Sequence, residues 1–159
     1  MGSPEEVLSS LTVRRETPAS RQRVWDVMAD GWTYSQWVVG NSRMRAVDPS
    51  WPAPGSTISH SVGIWPLVLN DETISEECVP GERLVLLAKG RPFGTARITL
   101  RLFDTDEGGC RIEMSEVPVH GPMSLVPKRL ALAAAWPRNR ECTWRLAALA
   151  ERRESPDDD

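Results

Sequence analysis

The most restrictive stretch of this sequence is 96–115. Ala96, Ile98, Leu100 and Leu102 alternate with Arg97, Thr99 and Arg101. After Asp104–Gly109, Cys110, Ile112 and Met114 alternate with Arg111, Glu113 and Ser115. A period of two puts all the apolar side chains of each run on one face, which a helix cannot do. The glycine-containing segment between the runs supplies the turn of an antiparallel hairpin with one dry and one wet face. Two strands cannot bury such a face by themselves, so the remaining chain must add strands and something apolar to lie against them.

The flanking sequence supplies both. Thr57–Val62, Val68–Cys78 and Leu84–Ala88 read as further strands of a meander, with Lys89–Gly94 as one of its turns. Val7–Arg15 reads as a first strand with Leu11 and Val13 on one side. Pro18-Ala-Ser20 then opens a helix capped by Thr17 or Ser20, carrying Val24, Val27 and Met28 at helical spacing and ending at Gly31. Trp32–Trp37 fits a second short helix before a turn at Gly40-Asn41. Three prolines between Asp48 and Gly55 mark a surface loop around Trp51. Beyond Gly121-Pro122 the period becomes helical. Ser124 is the expected cap and Pro127 fits the first turn, where no donor is lost; Pro137 should kink or divide the helix. Cys142, Leu146, Leu149 and Ala150 then form an apolar stripe, and Glu141 can pair with Arg145 one turn on. The order of strand, helices, many strands and long helix predicts an α+β domain.

Four segments carry a family resemblance: Thr17-Pro-Ala-Ser-Arg-Gln-Arg-Val-Trp25-Asp-Val-Met-Ala-Asp30, the Trp37 region, Trp65-Pro66, and Arg138-Asn-Arg-Glu141 through Leu149. In order and spacing the chain resembles the SRPBCC superfamily, also called START-like or helix-grip, and within it the polyketide cyclase/dehydrase and lipid-transport subgroup. The resemblance implies a curved antiparallel sheet of about six to seven strands wrapped around a long C-terminal helix, with two short helices after the first strand. It further implies a cavity for a small hydrophobic ligand, a lipid or a polyketide-like compound. Ile58, Ile98, Leu100, Ile112 and Met114 would line that cavity, with Trp37 and Trp65 as flat apolar walls. Most such positions in a half-buried sheet are simply core, which is the competing assignment.

Two titratable residues share the apolar parity. His60 aligns with Ile58 and Val62, where an imidazole can exchange a proton with a ligand or be satisfied structurally. Glu116 aligns with Ile112 and Met114 and needs a partner there, Arg129 or the helix backbone. These two residues are weak catalytic candidates for the alternative reading, a cyclase- or dehydratase-type enzyme using them as acid and base. No catalytic residue is carried over from the family itself. A third reading is an interaction module using a sheet edge or the Trp51 loop. His120 falls in a connecting loop and should be exposed.

At 159 residues the chain suits one domain, 1–153, followed by a disordered acidic tail at 154–159. The formal net charge of −3, with arginines scattered along the chain, argues against a nucleic-acid footprint. Three cysteines with no CxxC pair, and no cationic-then-apolar run at Met1–Glu6, predict a reduced cytoplasmic protein. No run approaches the ~18 apolar residues of a membrane span, so stable membrane insertion is not expected. Metal-ligand spacing and a glycine-rich phosphate loop are both missing, so no cofactor and no metal are expected. The expected assembly is a monomer or homodimer.

Overall fold

The computed structural model describes residues 3, 12–64, 66–90, 92 and 94–153. It comprises β1 (Val13–Thr17), α1 (Arg21–Ala29), a 3-10 turn (Gly31–Thr33) leading into α2 (Tyr34–Trp37), β2 (Asn41–Val47), β3 (Thr57–Ile64), β4 (Leu67–Val79), β5 (Arg83–Gly90), β6 (Gly94–Asp104), β7 (Cys110–His120), a second 3-10 turn (Pro122–Leu125) and α3 (Lys128–Arg152). The strands form one antiparallel curved sheet in the order β1-β7-β6-β5-β4-β3-β2. The hairpin read from 96–115 is its longest ladder, with Leu100 opposite Met114 and Leu102 opposite Ile112.

The inner face of the sheet is apolar because alternation puts Leu84, Leu86, Ile98, Leu100, Ile112 and Met114 there, all at most 2% exposed. Val24, Val27 and Met28 of α1 and Cys142, Leu146 and Ala150 of α3 close over them as one cluster. Ser20 caps α1 by accepting a hydrogen bond from the Arg23 backbone N–H at 3.3 Å. Asp30 then caps the following 3-10 turn through the Trp32 N–H. A Cβ on Gly31 would lie 2.5 Å from Val47 Cγ1 and 3.1 Å from Trp51, so only glycine lets the chain pass this closely.

Several sequence expectations need correction. Gly40-Asn41 is followed by a strand, β2, that the pattern did not suggest. It is an edge strand with two register shifts against β3, so its apolar residues never alternate cleanly. The Asp48–Gly55 loop is largely exposed as expected, but Trp51 itself is not: it is 8% exposed and donates its indole N–H to the Met28 carbonyl at 3.2 Å. α3 starts at Lys128 with Pro127 in the cap position, while Ser124 bonds back to Gly121 within the preceding turn. Pro137 does not divide the helix, which runs from Lys128 to Arg152. β1 begins at Val13; most of the segment expected as the start of the first strand, and the acidic 154–159 tail, lie outside the described residues. His120 is the exposed last residue of β7 rather than part of a loop.

Candidate functional site

Polar side chains interrupt the apolar inner face at one end of the sheet. His60 on β3 sits opposite Asp71 on β4, and Thr73 lies two residues further along, opposite Ile58. All three face inward at no more than 4% exposure. Next to them β5 and β6 contribute Ala88 opposite Ala96, then Gly90 opposite Gly94, so the sheet surface carries almost no side-chain volume there. On the far side β7 contributes Glu116, opposite Ile98. The result is a cavity of about 110 Å3 bounded by Tyr34, Val38, His60, Ile98, Glu116 and Arg138, with Gly40, Asn41, Val62, Lys89 and Gly90 toward its edge. That volume corresponds to roughly four waters at liquid density.

One hydrogen-bonded chain crosses the cavity wall. The Tyr34 hydroxyl lies 3.0 Å from Thr73 Oγ1, and the same oxygen lies 3.0 Å from His60 Nε2. The Tyr34 and His60 rings are 5.5 Å apart, and Trp37 packs edge-on against Tyr34 at 5.5 Å. α2 therefore fixes the phenol and two strands fix the imidazole, with a threonine hydroxyl joining them. His60 Nδ1 and Asn41 Oδ1 are buried and have no hydrogen-bond partner among the described residues. Buried polar atoms of this kind normally find a partner, so these two mark places where a bound molecule or water would be stabilised.

The electrostatics follow from burial. Desolvation pushes the Tyr34 hydroxyl up to about 12, despite the opposing hydrogen bond from Thr73. Desolvation pulls His60 below its ordinary value; the nearby Asp71 carboxylate opposes this and Arg45 reinforces it. His60 is thus a neutral base near pH 7, and Tyr34 a neutral hydroxyl. Across the cavity, Arg138 donates from Nη2 to Glu116 Oε2 at 2.7 Å. Burial alone would lower the Arg138 pKa, but the Glu116 carboxylate reverses the direction and the guanidinium stays charged.

Of the residues singled out from sequence, His60, Ile98 and Glu116 border this cavity. Trp37, Ile58, Leu100, Ile112 and Met114 lie in the core cluster and do not border it. Trp65 lies outside the described residues. The carboxylate partner is Arg138, not Arg129: the register keeps Glu116 on the inner face under the middle of α3, while Arg129 belongs to the exposed first turn. Tyr34, Thr73 and Arg138 were missed. A sequence signal for the cavity did exist in the inward-parity run Ala88, Gly90, Gly94 and Ala96, where large residues should stand if the space were filled. Among the described residues no group of three or more His, Cys, Asp or Glu side chains gathers in metal-binding proximity.

No protein-family model matches this sequence, and no curated protein does either. Solved structures do match it. A protein from Nitrosomonas europaea superposes with a TM-score of 0.67 at 15% identity, covering 90% of this chain and 94% of that one. Ara h 8.0201 superposes with a TM-score of 0.64 at 9% identity, over 89% of this chain and 97% of the other. The chain has the helix-grip fold. DynU16, from the dynemicin biosynthetic locus, matches with a TM-score of 0.59 at 19% identity; the match covers 89% of this chain and 46% of DynU16. At these identities the likeness establishes the helix grip and leaves the site to be read from its own residues. Among the described residues no helix is long and apolar enough to cross a membrane.

Proposed function

We propose that this helix-grip chain, folded as one domain over 1–153, binds a compact, largely apolar molecule bearing an oxygen function in the cavity between sheet and α3. The observation that carries this reading is the Tyr34–Thr73–His60 chain, which ends at a buried, unpartnered His60 Nδ1 on the wall of a space walled by alanine and glycine. A small cavity with few convergent polar groups suits orientation of a carbonyl or hydroxyl, with burial of the apolar remainder providing affinity. A volume of about 110 Å3 supports a small ligand, or one end of a larger one, rather than an enclosed full acyl chain.

A second reading, an enzyme of cyclase or dehydratase type, draws on one specific arrangement. A neutral imidazole able to take a proton and the charged Arg138 guanidinium, held by Glu116 and able to stabilise a developing oxyanion, line the same cavity, as proton abstraction from a carbonyl compound would need. The cyclase-type relationship suggested by the sequence belongs with this reading.

Native mass spectrometry of protein purified without denaturation, followed by tryptophan-fluorescence titration with the compound released, tests the binding reading. A stoichiometric apolar, oxygen-bearing compound that rebinds to the wild type and fails to rebind to Ala96→Leu supports it. If nothing co-purifies and a broad panel of small carbonyl compounds leaves the fluorescence unchanged, the reading falls. Turnover of the released compound that His60→Gln abolishes while leaving binding intact would promote the enzyme reading.

A further inference from the structure

The hydrogen bonds in the cavity wall decide which polarity the cavity offers a ligand. Tyr34, Thr73 and His60 are 2%, 0% and 3% exposed, so their polar atoms must be satisfied by one another or by something bound. Thr73 Oγ1 stands in the middle, 3.0 Å from the Tyr34 hydroxyl and 3.0 Å from His60 Nε2. None of the three side chains has a further hydrogen-bond partner among the described residues, and His60 Nδ1 has none at all. A threonine hydroxyl has a single proton, so it can donate to only one of its two neighbours.

Three proton arrangements fit these distances. If the phenol donates to Thr73 and Thr73 donates to Nε2, the ring proton sits on Nδ1, and that N–H is the only group of the chain left unsatisfied. If instead Nε2–H donates to Thr73 and Thr73 donates to the phenol oxygen, the phenol proton is stranded together with a bare Nδ1. If phenol and Nε2–H both donate to Thr73, the threonine proton is stranded, again with a bare Nδ1. Each buried group without a partner carries a desolvation penalty, so the arrangement that strands one group prevails over those that strand two. The hydrogen bond made at one ring nitrogen thus sets the proton on the other. Asn41 Oδ1, also buried without a partner at the cavity edge, does not decide the polarity, because a half-turn of its amide exchanges acceptor for donor.

We infer that Tyr34 and Thr73 are positioning residues that hold His60 as the Nδ1–H tautomer, so that the cavity offers a hydrogen-bond donor and selects a ligand whose oxygen is a carbonyl acceptor. Arg138 reinforces this from across the cavity: its guanidinium has N–H groups beyond the one given to Glu116, and no acceptor. The inference rests on the proposed binding function and narrows its ligand from any oxygen-bearing molecule to a ketone, ester or amide.

Long-range 1H–15N NMR of the ligand-free protein at about pH 8, where the lowered His60 pKa leaves the ring neutral, reads the tautomer directly. The chain has two histidines, so His120→Gln identifies the His60 signals. Nδ1 should carry the proton in the wild type and in Thr73→Ser, whereas Thr73→Val should move a large part of it to Nε2. NMR titration with cyclopentanone, and with methylenecyclopentane, which has a CH2 group in place of the oxygen, then reads the selectivity. Thr73→Val should weaken cyclopentanone binding about tenfold, as the loss of one buried hydrogen bond would, and leave methylenecyclopentane binding unchanged. An Nε2–H ring in the wild type overturns the inference and leaves the proposed function standing, because a ligand hydroxyl would then donate to Nδ1. An Nδ1–H ring combined with equal effects of Thr73→Val on both probes overturns the selection of a carbonyl. If neither probe binds the wild type, the binding function and this inference fall together.

Discussion

The two ends of the inner sheet face are made by the same strands and the same alternation, yet they differ in what the inward positions hold. At one end Leu84, Leu100, Leu102 and Ile112 meet α1 and α3 with no side chain more than 3% exposed. At the other the inward positions are His60, Asp71, Thr73, Ala88, Ala96 and Glu116. Close packing of apolar side chains yields stability in proportion to the surface it removes from water. Buried polar groups yield almost none and need partners to avoid a penalty. A sheet selected for stability alone would continue the leucines, so the second end is where this molecule gives up packing stability.

The largest expected effect lies at the packed end. Leu100→Ala removes a side chain that is 0% exposed and should destabilise by about 3–5 kcal/mol, read from urea unfolding. Ala96→Leu, in the open half of the same strand, should cost no more than about 1–3 kcal/mol because there is space beside it. Equal losses from the two substitutions would mean that the ends are equally packed and that no cavity persists in solution.

This contrast also explains what was legible in the sequence. Alternation is a local pattern, so the β6–β7 hairpin, the inward parity of His60 and Glu116 and the α+β order could all be read directly. β2 was hidden because its register shifts break the period of two. The same parity that identified Ile58, Leu100, Ile112 and Met114 could not tell core from cavity, since that depends on which face α1 and α3 cover. Tyr34 and Arg138 reach the site only through tertiary placement of two helices, and their spacing in the chain relative to His60 carries no trace of it. The helical Pro137 looked like a break because propensity is local, whereas packing of α3 on β7 and β1 is what holds the helix in one piece.

At the polar end the next effect is alkaline. Tyr34 is the only tyrosine, so its tyrosinate absorbance reports a single group. Its pKa is raised in the folded state from 10.0 to about 12, so the folded protein holds its proton where the unfolded chain loses it. The associated stability is complete below pH 10 and lost as pH rises through 12, amounting to roughly 2–3 kcal/mol. A tyrosinate transition near 10 in the folded protein would show that the phenol is wet and that the Tyr34–Thr73 contact is not maintained.

The smallest effect is acidic and comes from His60. Its pKa is lowered on folding, mainly by burial, so the unfolded chain binds a proton at a pH where the folded one does not. The contribution is therefore present above 6.5, the unfolded value, and is lost as pH falls from there to below the folded value. Wild type should lose stability in that window, and His60→Gln should lose less. A ligand that accepts or donates at Nδ1 adds a discriminating sign: binding to the neutral imidazole lowers the folded-state pKa further and deepens the loss on acidification, whereas binding to the protonated form raises it and reduces or reverses that loss. Unfolding midpoints measured across this window with and without the released compound would thus report which protonation state of His60 the site uses. An identical pH profile with and without the compound would remove His60 from the binding site altogether.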